Sequence, residues 1–153
     1  MTMMASLRNW INDVAQPEHA HADVDLSLAT AVLLCEVVRA DYRMDDSEIA
    51  LMREQLQQRF ELDPAALDEL MSLARQEAET AVDHHRFVRE LRDRTGYQER
   101  VALVQQMWAL AFADGEKDAL EEHRIRALAE LLHVSHGDFV RTRIAEENRA
   151  AAR

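Results

Sequence analysis

From Ala29 to Val38 the chain reads as an almost unbroken apolar run, with Glu36 its one charged residue. A helix that is apolar nearly all round is buried nearly all round, and this run predicts such a helix over about 25–42. A second dense run, Val101, Leu103, Val104, Met107, Trp108, Leu110 and Phe112, predicts another over about 98–113. Elsewhere the pattern is one-sided, with apolar residues returning every three to four positions. Ile49, Met52, Leu56 and Phe60 predict an amphipathic helix over 46–60, and Leu67, Leu70, Met71 and Ala74 one over 64–81. Phe87, Val88 and Leu91 mark a helix over 84–95, and Ile125, Leu128, Leu131 and Leu132 one over 119–133. A final helix carries Phe139 and Ile144 inward. Leu7, Trp10, Ile11 and Val14 place a short leading helix at 4–15, joined by a polar link through Asp23.

The breaks carry their own chemistry. Asp63-Pro64 supplies an N-cap and a pre-organised first helical residue. Asp83 and Ser135 can cap the helices that follow them, and Gly96 marks the break before the second dense run. With three glycines and two prolines in 153 residues there is little turn material for a many-stranded sheet. Ala, Leu, Glu, Gln and Arg, good helix formers, dominate instead. The reading is an all-α single-domain bundle of seven to eight helices, its two apolar helices forming the central pair. Residues 1–24 form the leading helix and polar link, 25–148 the helical domain, and 149–153 a frayed tail.

An offset of 73 residues superposes Ala40-Asp41, Asp45 and Glu48 on Ala113-Asp114, Asp118 and Glu121. Both segments follow a dense apolar helix and precede an amphipathic one. The chain is therefore expected to hold an internal pseudo-two-fold duplication, with copies around 25–70 and 98–143.

Asp45-x-x-Glu48 and Asp118-x-x-Glu121 have the spacing of a capping box, in which the Asp accepts from the backbone N–H three residues on. Those four residues thus have a structural explanation as well as a ligand one. Asp41 and Asp114 sit at helix ends, where the dipole disfavours a carboxylate. The ligand reading has one divalent cation on Asp41, Asp45 and Glu48 and another on Asp114, Asp118 and Glu121, or the two loops converging on one site. Oxygen donors of this kind suit Ca²⁺ or Mg²⁺. An EF-hand is excluded, because from Asp114 the sixth position is Ala119 and the twelfth Ile125.

Other constellations are weaker. Glu130-x-x-His133 has the spacing of half a di-iron site, but no second copy exists, so His133 reads as a cation favoured at the end of its helix. Arg86, Arg89, Arg92 and Arg94 form a basic stripe expected to pair with the acidic helix before it. Cys35, the single cysteine, reads as a small buried hydrophobe. No zinc-protease His pair, phosphate-binding glycine loop or nucleophile elbow occurs, and the chain is read as non-catalytic.

A formal net charge of −11 argues against nucleic acid and anionic lipid, which are bound through Lys and Arg. It favours cations and basic protein surfaces as partners; protein partners are expected, and a homo-oligomer stays open. No run approaches the ~18 apolar residues of a membrane span, so no direct membrane insertion is expected and the simplest location is the cytoplasm.

Met107-Trp108-Ala109-Leu110-Ala111-Phe112-Ala113-Asp114-Gly115, continuing through Glu121-Glu122-His123 to Leu131-Leu132, resembles the tellurite-resistance TerB-like family. The resemblance spans about residues 25–147, including a degenerate copy at Ala40-Asp41 and Glu48. It implies a bacterial, cytoplasmic helical bundle with internal pseudo-symmetry and no established catalysis. It implies divalent-metal binding at the acidic positions, here Asp41, Glu48, Asp114 and Glu121. It also implies a part in tellurite and stress responses alongside membrane-linked protein partners. Tyr42 stands where the motif has glycine, a departure that constrains the first loop. The alternative is a metal-free interaction scaffold whose acidic boxes only fix helix junctions.

Overall fold

A computed structural model of the chain describes residues 22–39, 45–80, 85–113 and 119–152. Among these, seven helices and no strands are found: α1 Ala22–Val38, α2 Asp46–Phe60, α3 Pro64–Thr80, α4 His85–Arg94, α5 Tyr97–Ala111, α6 Ala119–Leu131 and α7 His136–Ala151. The expected leading helix at 4–15 and the cap at Asp83 lie outside the described residues. Several boundaries differ from the periodicity by two residues or more. Helix α1 already begins at Ala22, inside the expected polar link. Helix α5 ends at Ala111, and Phe112 and Ala113 form a turn closed by hydrogen bonds to Trp108 and Leu110 carbonyls at 3.0 and 3.1 Å.

The two densely apolar helices form the centre. Helix α1 packs against α2, α3, α4, α5 and α6; α5 packs against α1, α2, α6 and α7. From Ala29 to Val38 every residue of α1 is buried, Glu36 included. Helices α3 and α7 cover α1 and α5 respectively through their inward stripes, Leu67, Leu70, Met71 and Ala74 on α3 and Phe139 on α7. Trp108, fully buried, packs its ring on Phe112 and Phe139 with centroids 6.0 and 5.3 Å apart, a geometry that adds to the area it removes from water. Ile144 departs from expectation and is 47% exposed. Its neighbours Thr142 and Glu146 are the buried residues of that stretch: the Thr142 hydroxyl donates to the Asp138 carbonyl at 2.8 Å, and Glu146 accepts from Gln105 Nε2 at 2.7 Å.

Caps define the helix starts. The Asp63 carboxylate accepts from the Ala66 N–H at 2.8 Å, and the Ser135 hydroxyl from the Asp138 N–H at 3.1 Å. Gly96 is not a left-handed helix end; its φ of −79° and ψ of 166° make it the N-cap of α5, its N–H donating to the Glu99 carboxylate at 3.4 Å. The left-handed positions fall instead on Glu61 and His133, with φ of 52° and 59°. His133 lies two residues beyond α6, where Arg92 approaches it. Its Nη1 lies 3.2 Å from His133 Nε2 and donates to the Leu131 carbonyl at 3.5 Å. Arg100 completes this end, donating to the carbonyls of Leu132 at 2.9 Å and Thr95 at 2.7 Å. Helix ends α4 and α6 are thus closed by arginines supplying the donors their last carbonyls lack.

Candidate functional site

The opposite end of the bundle holds the acidic helix starts. Asp45, extended at φ −68° and ψ 142°, caps α2. Its carboxylate accepts from the Ser47 N–H at 2.8 Å and from the Ser47 hydroxyl. The bond goes two residues on rather than three, because the short Asp side chain closes an Asx-type turn. Asp45 is exposed, whereas Glu48, three residues later, is 2% exposed. Glu121 occupies the same third position of α6 and is 1% exposed. Asp41, Asp114 and Asp118 lie outside the described residues.

Helix directions bring the two starts to one end. Gln55 Nε2 and Arg59 Nη1 of α2 donate to the Gln106 carbonyl and side-chain oxygens of α5, at 3.2 and 3.0 Å. Phe60, at the end of α2, shares a cleft with Glu99 and Ala102, nearer the start of α5. The helices therefore run antiparallel. At about 1.5 Å per residue, Glu48 stands two turns before Gln55, level with the end of α5 two turns after Gln106. Helix α6 is placed against α1 in the same sense: Arg124 Nη1 lies 3.6 Å from Glu36 Oε2 near the end of α1. So the start of α2 faces the end of α5, which leads into residues 114–118. The start of α6 faces the end of α1, which leads into residues 40–44.

Glu36 belongs to this end and was passed over in the sequence as a mere interruption of an apolar run. It is 7% exposed, and Arg124 on α6 is its ion-pair partner. A lone charge inside an all-round apolar helix was the available signal, since a buried charge must be paired or hydrogen-bonded. Three buried carboxylates, Glu36, Glu48 and Glu121, thus occupy one end of a bundle whose other end is closed by arginines. Placing several carboxylates in a low-dielectric setting is costly unless positive charge is supplied. Helix N-termini give part of it to Glu48 and Glu121.

The donors here are carboxylate oxygens, the chemistry of hard divalent cations. Among the described residues alone, no group of three or more His, Cys, Asp or Glu side chains is placed to hold a metal ion. Burial pushes the Cys35 thiol up to about 12, in keeping with a small buried hydrophobe. Of the basic stripe, Arg86 lies 3.6 Å from Glu77 of α3 as expected, whereas Arg94 pairs with Glu90 of its own helix at 3.0 Å and Arg92 turns to the end of α6.

A family model described as tellurite resistance protein TerB matches residues 27–144. No curated protein and no solved structure matches the chain. The matched span runs from the first buried turns of α1 to the middle of α7, and so takes in both acidic junctions.

Proposed function

Because the chain belongs to the TerB family, we propose that it is a non-catalytic helical module that binds a divalent cation at its acidic end and acts through protein partners. The observation that carries this reading is the burial of Glu48 and Glu121, at the same position of two helices that start at the same end of the bundle. A capping box needs only a solvent-facing carboxylate, whereas two buried carboxylates at one end of the bundle offer oxygen donors of the kind a hard cation takes. The donor set fits Ca²⁺ or Mg²⁺, with Glu48 and Glu121 as buried ligands and Asp41, Asp114 and Asp118 from the connecting loops completing it. The bound ion would supply positive charge and fix the two loops relative to each other, and the loops would then form the face a partner reads.

The matching offset of 73 residues and the parallel packing of α1 on α3 and α5 on α7 support reading the two halves as repeats. None of the described helices is long and apolar enough to cross a membrane. We place the protein in the bacterial cytoplasm, in tellurite and stress responses, with membrane-linked proteins among its partners. The rival reading is a metal-free scaffold, favoured by the Asp45 side chain, which is already engaged by Ser47. Calorimetric titration of chelator-treated protein with Ca²⁺ and with Mg²⁺ separates the two. Saturable heat that disappears in Glu48→Gln and in Glu121→Gln supports the cation site. No heat from either ion, or heat unchanged in both variants, leaves the scaffold.

A further inference from the structure

Far from the acidic end, near the arginine-closed end, four helices leave a cleft of about 610 Å³. Leu26 and Thr30 come from one face of α1, Phe60 closes the end of α2, and Leu91 comes from α4; α5 contributes Glu99 and Gln106. That volume lies in the range of small-molecule sites, whose walls are apolar with a few polar groups fixing orientation. Here the apolar part is Leu26, Phe60 and Leu91, and the polar groups are of both signs.

Arg59 is the one cation of the lining, with Glu61 and Glu99 as the carboxylates. Its guanidinium donates to the neutral Gln106 side-chain oxygen at 3.0 Å and keeps further N–H donors for another acceptor. Burial pulls its pKa down, and the negative charge of Glu99 acts against that, so the two charges feel each other across the cleft. Glu99 spends its described hydrogen bond on the Gly96 N–H, at a long 3.4 Å. Thr30 is 1% exposed and its hydroxyl has no hydrogen-bond partner. A buried hydroxyl left so is unfavourable, and this one belongs to a cleft wall.

We propose that this cleft binds a small zwitterion with an apolar side chain, the chemistry of leucine, phenylalanine and their short free peptides. The ligand's carboxylate meets Arg59, its ammonium meets Glu99, and its side chain lies on Leu26, Phe60 and Leu91. A simple fatty acid would satisfy Arg59 but bring its charge towards Glu61 and Glu99. A plain amine would do the reverse. A zwitterion answers both signs at once.

The test is an amide-resolved NMR titration of the full chain with L-leucine and L-phenylalanine, beside N-acetyl-leucine, which lacks the ammonium, and leucinol, which lacks the carboxylate. Saturable shifts at Leu26, Thr30 and Leu91 are expected for the amino acids, with both analogues weaker by about tenfold or more. Arg59→Gln should weaken leucine by a similar factor and leave leucinol unchanged, and Glu99→Gln should weaken leucine while sparing N-acetyl-leucine. No saturable shift with either amino acid would overturn the proposal. So would shifts confined to other residues, or analogues that bind as tightly as leucine. The analogue comparison needs no variant, so a poorly folded substitution does not blunt it.

Discussion

At the scale of single residues, the same side-chain type takes opposite roles according to its place on a helix. Asp45 and Asp63 both cap, and both are readable from sequence because a cap depends on neighbours two or three positions away. Glu48 and Glu121 have cap spacing too, yet their burial could not be read there, since it depends on helices far along the chain. Cys35 was legible as a buried hydrophobe from the run around it. Its thiol, at 9.0 when free and about 12 in the fold, is held up first by burial. A group raised in the folded state contributes stability that is complete below its unfolded pKa and lost as pH rises. Stability should therefore fall between pH 9.0 and about 12 by more in the wild type than in Cys35→Ala, as read by chemical denaturation across that range. The native thiol should also resist a thiol reagent at neutral pH until the chain unfolds. Rapid native labelling would contradict its burial.

At the scale of elements, periodicity located all seven described helices, because amphipathic stripes and all-round apolar runs are local signals. It erred where the winning term was tertiary. Ile144 stands on a helical spacing but faces outward, since α7 turns Phe139, Thr142 and Glu146 to α5 and its surroundings instead. The start of α1 lies at Ala22, before the point at which the apolar run begins. These placements set unequal costs for similar changes. Leu33→Ala on α1 and Leu103→Ala on α5 remove side chains at 0% and 1% exposure and should each lower unfolding free energy by about 2–5 kcal/mol. Ile144→Ala, by contrast, should stay within roughly 0.5 kcal/mol. Denaturant midpoints of the three variants check this ordering, and an Ile144→Ala loss equal to the two core losses would refute it.

At the scale of the whole molecule, the fold is polarised. One end gathers Glu36, Glu48 and Glu121; the other is tied by Arg92 and Arg100 to helix-terminal carbonyls. Sequence supplied the two acidic segments but not the shared end of the bundle at which Glu48 and Glu121 lie, which follows from the antiparallel course of α2 against α5 and the seat of α6 on α1. On the proposed reading, a cation held at the acidic end would stabilise the native state and would have no equal site in the unfolded chain. Thermal unfolding of the full chain in chelator and in rising Ca²⁺ or Mg²⁺ therefore tests the central claim. The melting temperature should climb with ion concentration, equivalent to about 2.7 kcal/mol at a hundredfold excess over Kd, and the climb should vanish in Glu48→Gln/Glu121→Gln. A wild-type melting temperature indifferent to both ions would contradict it.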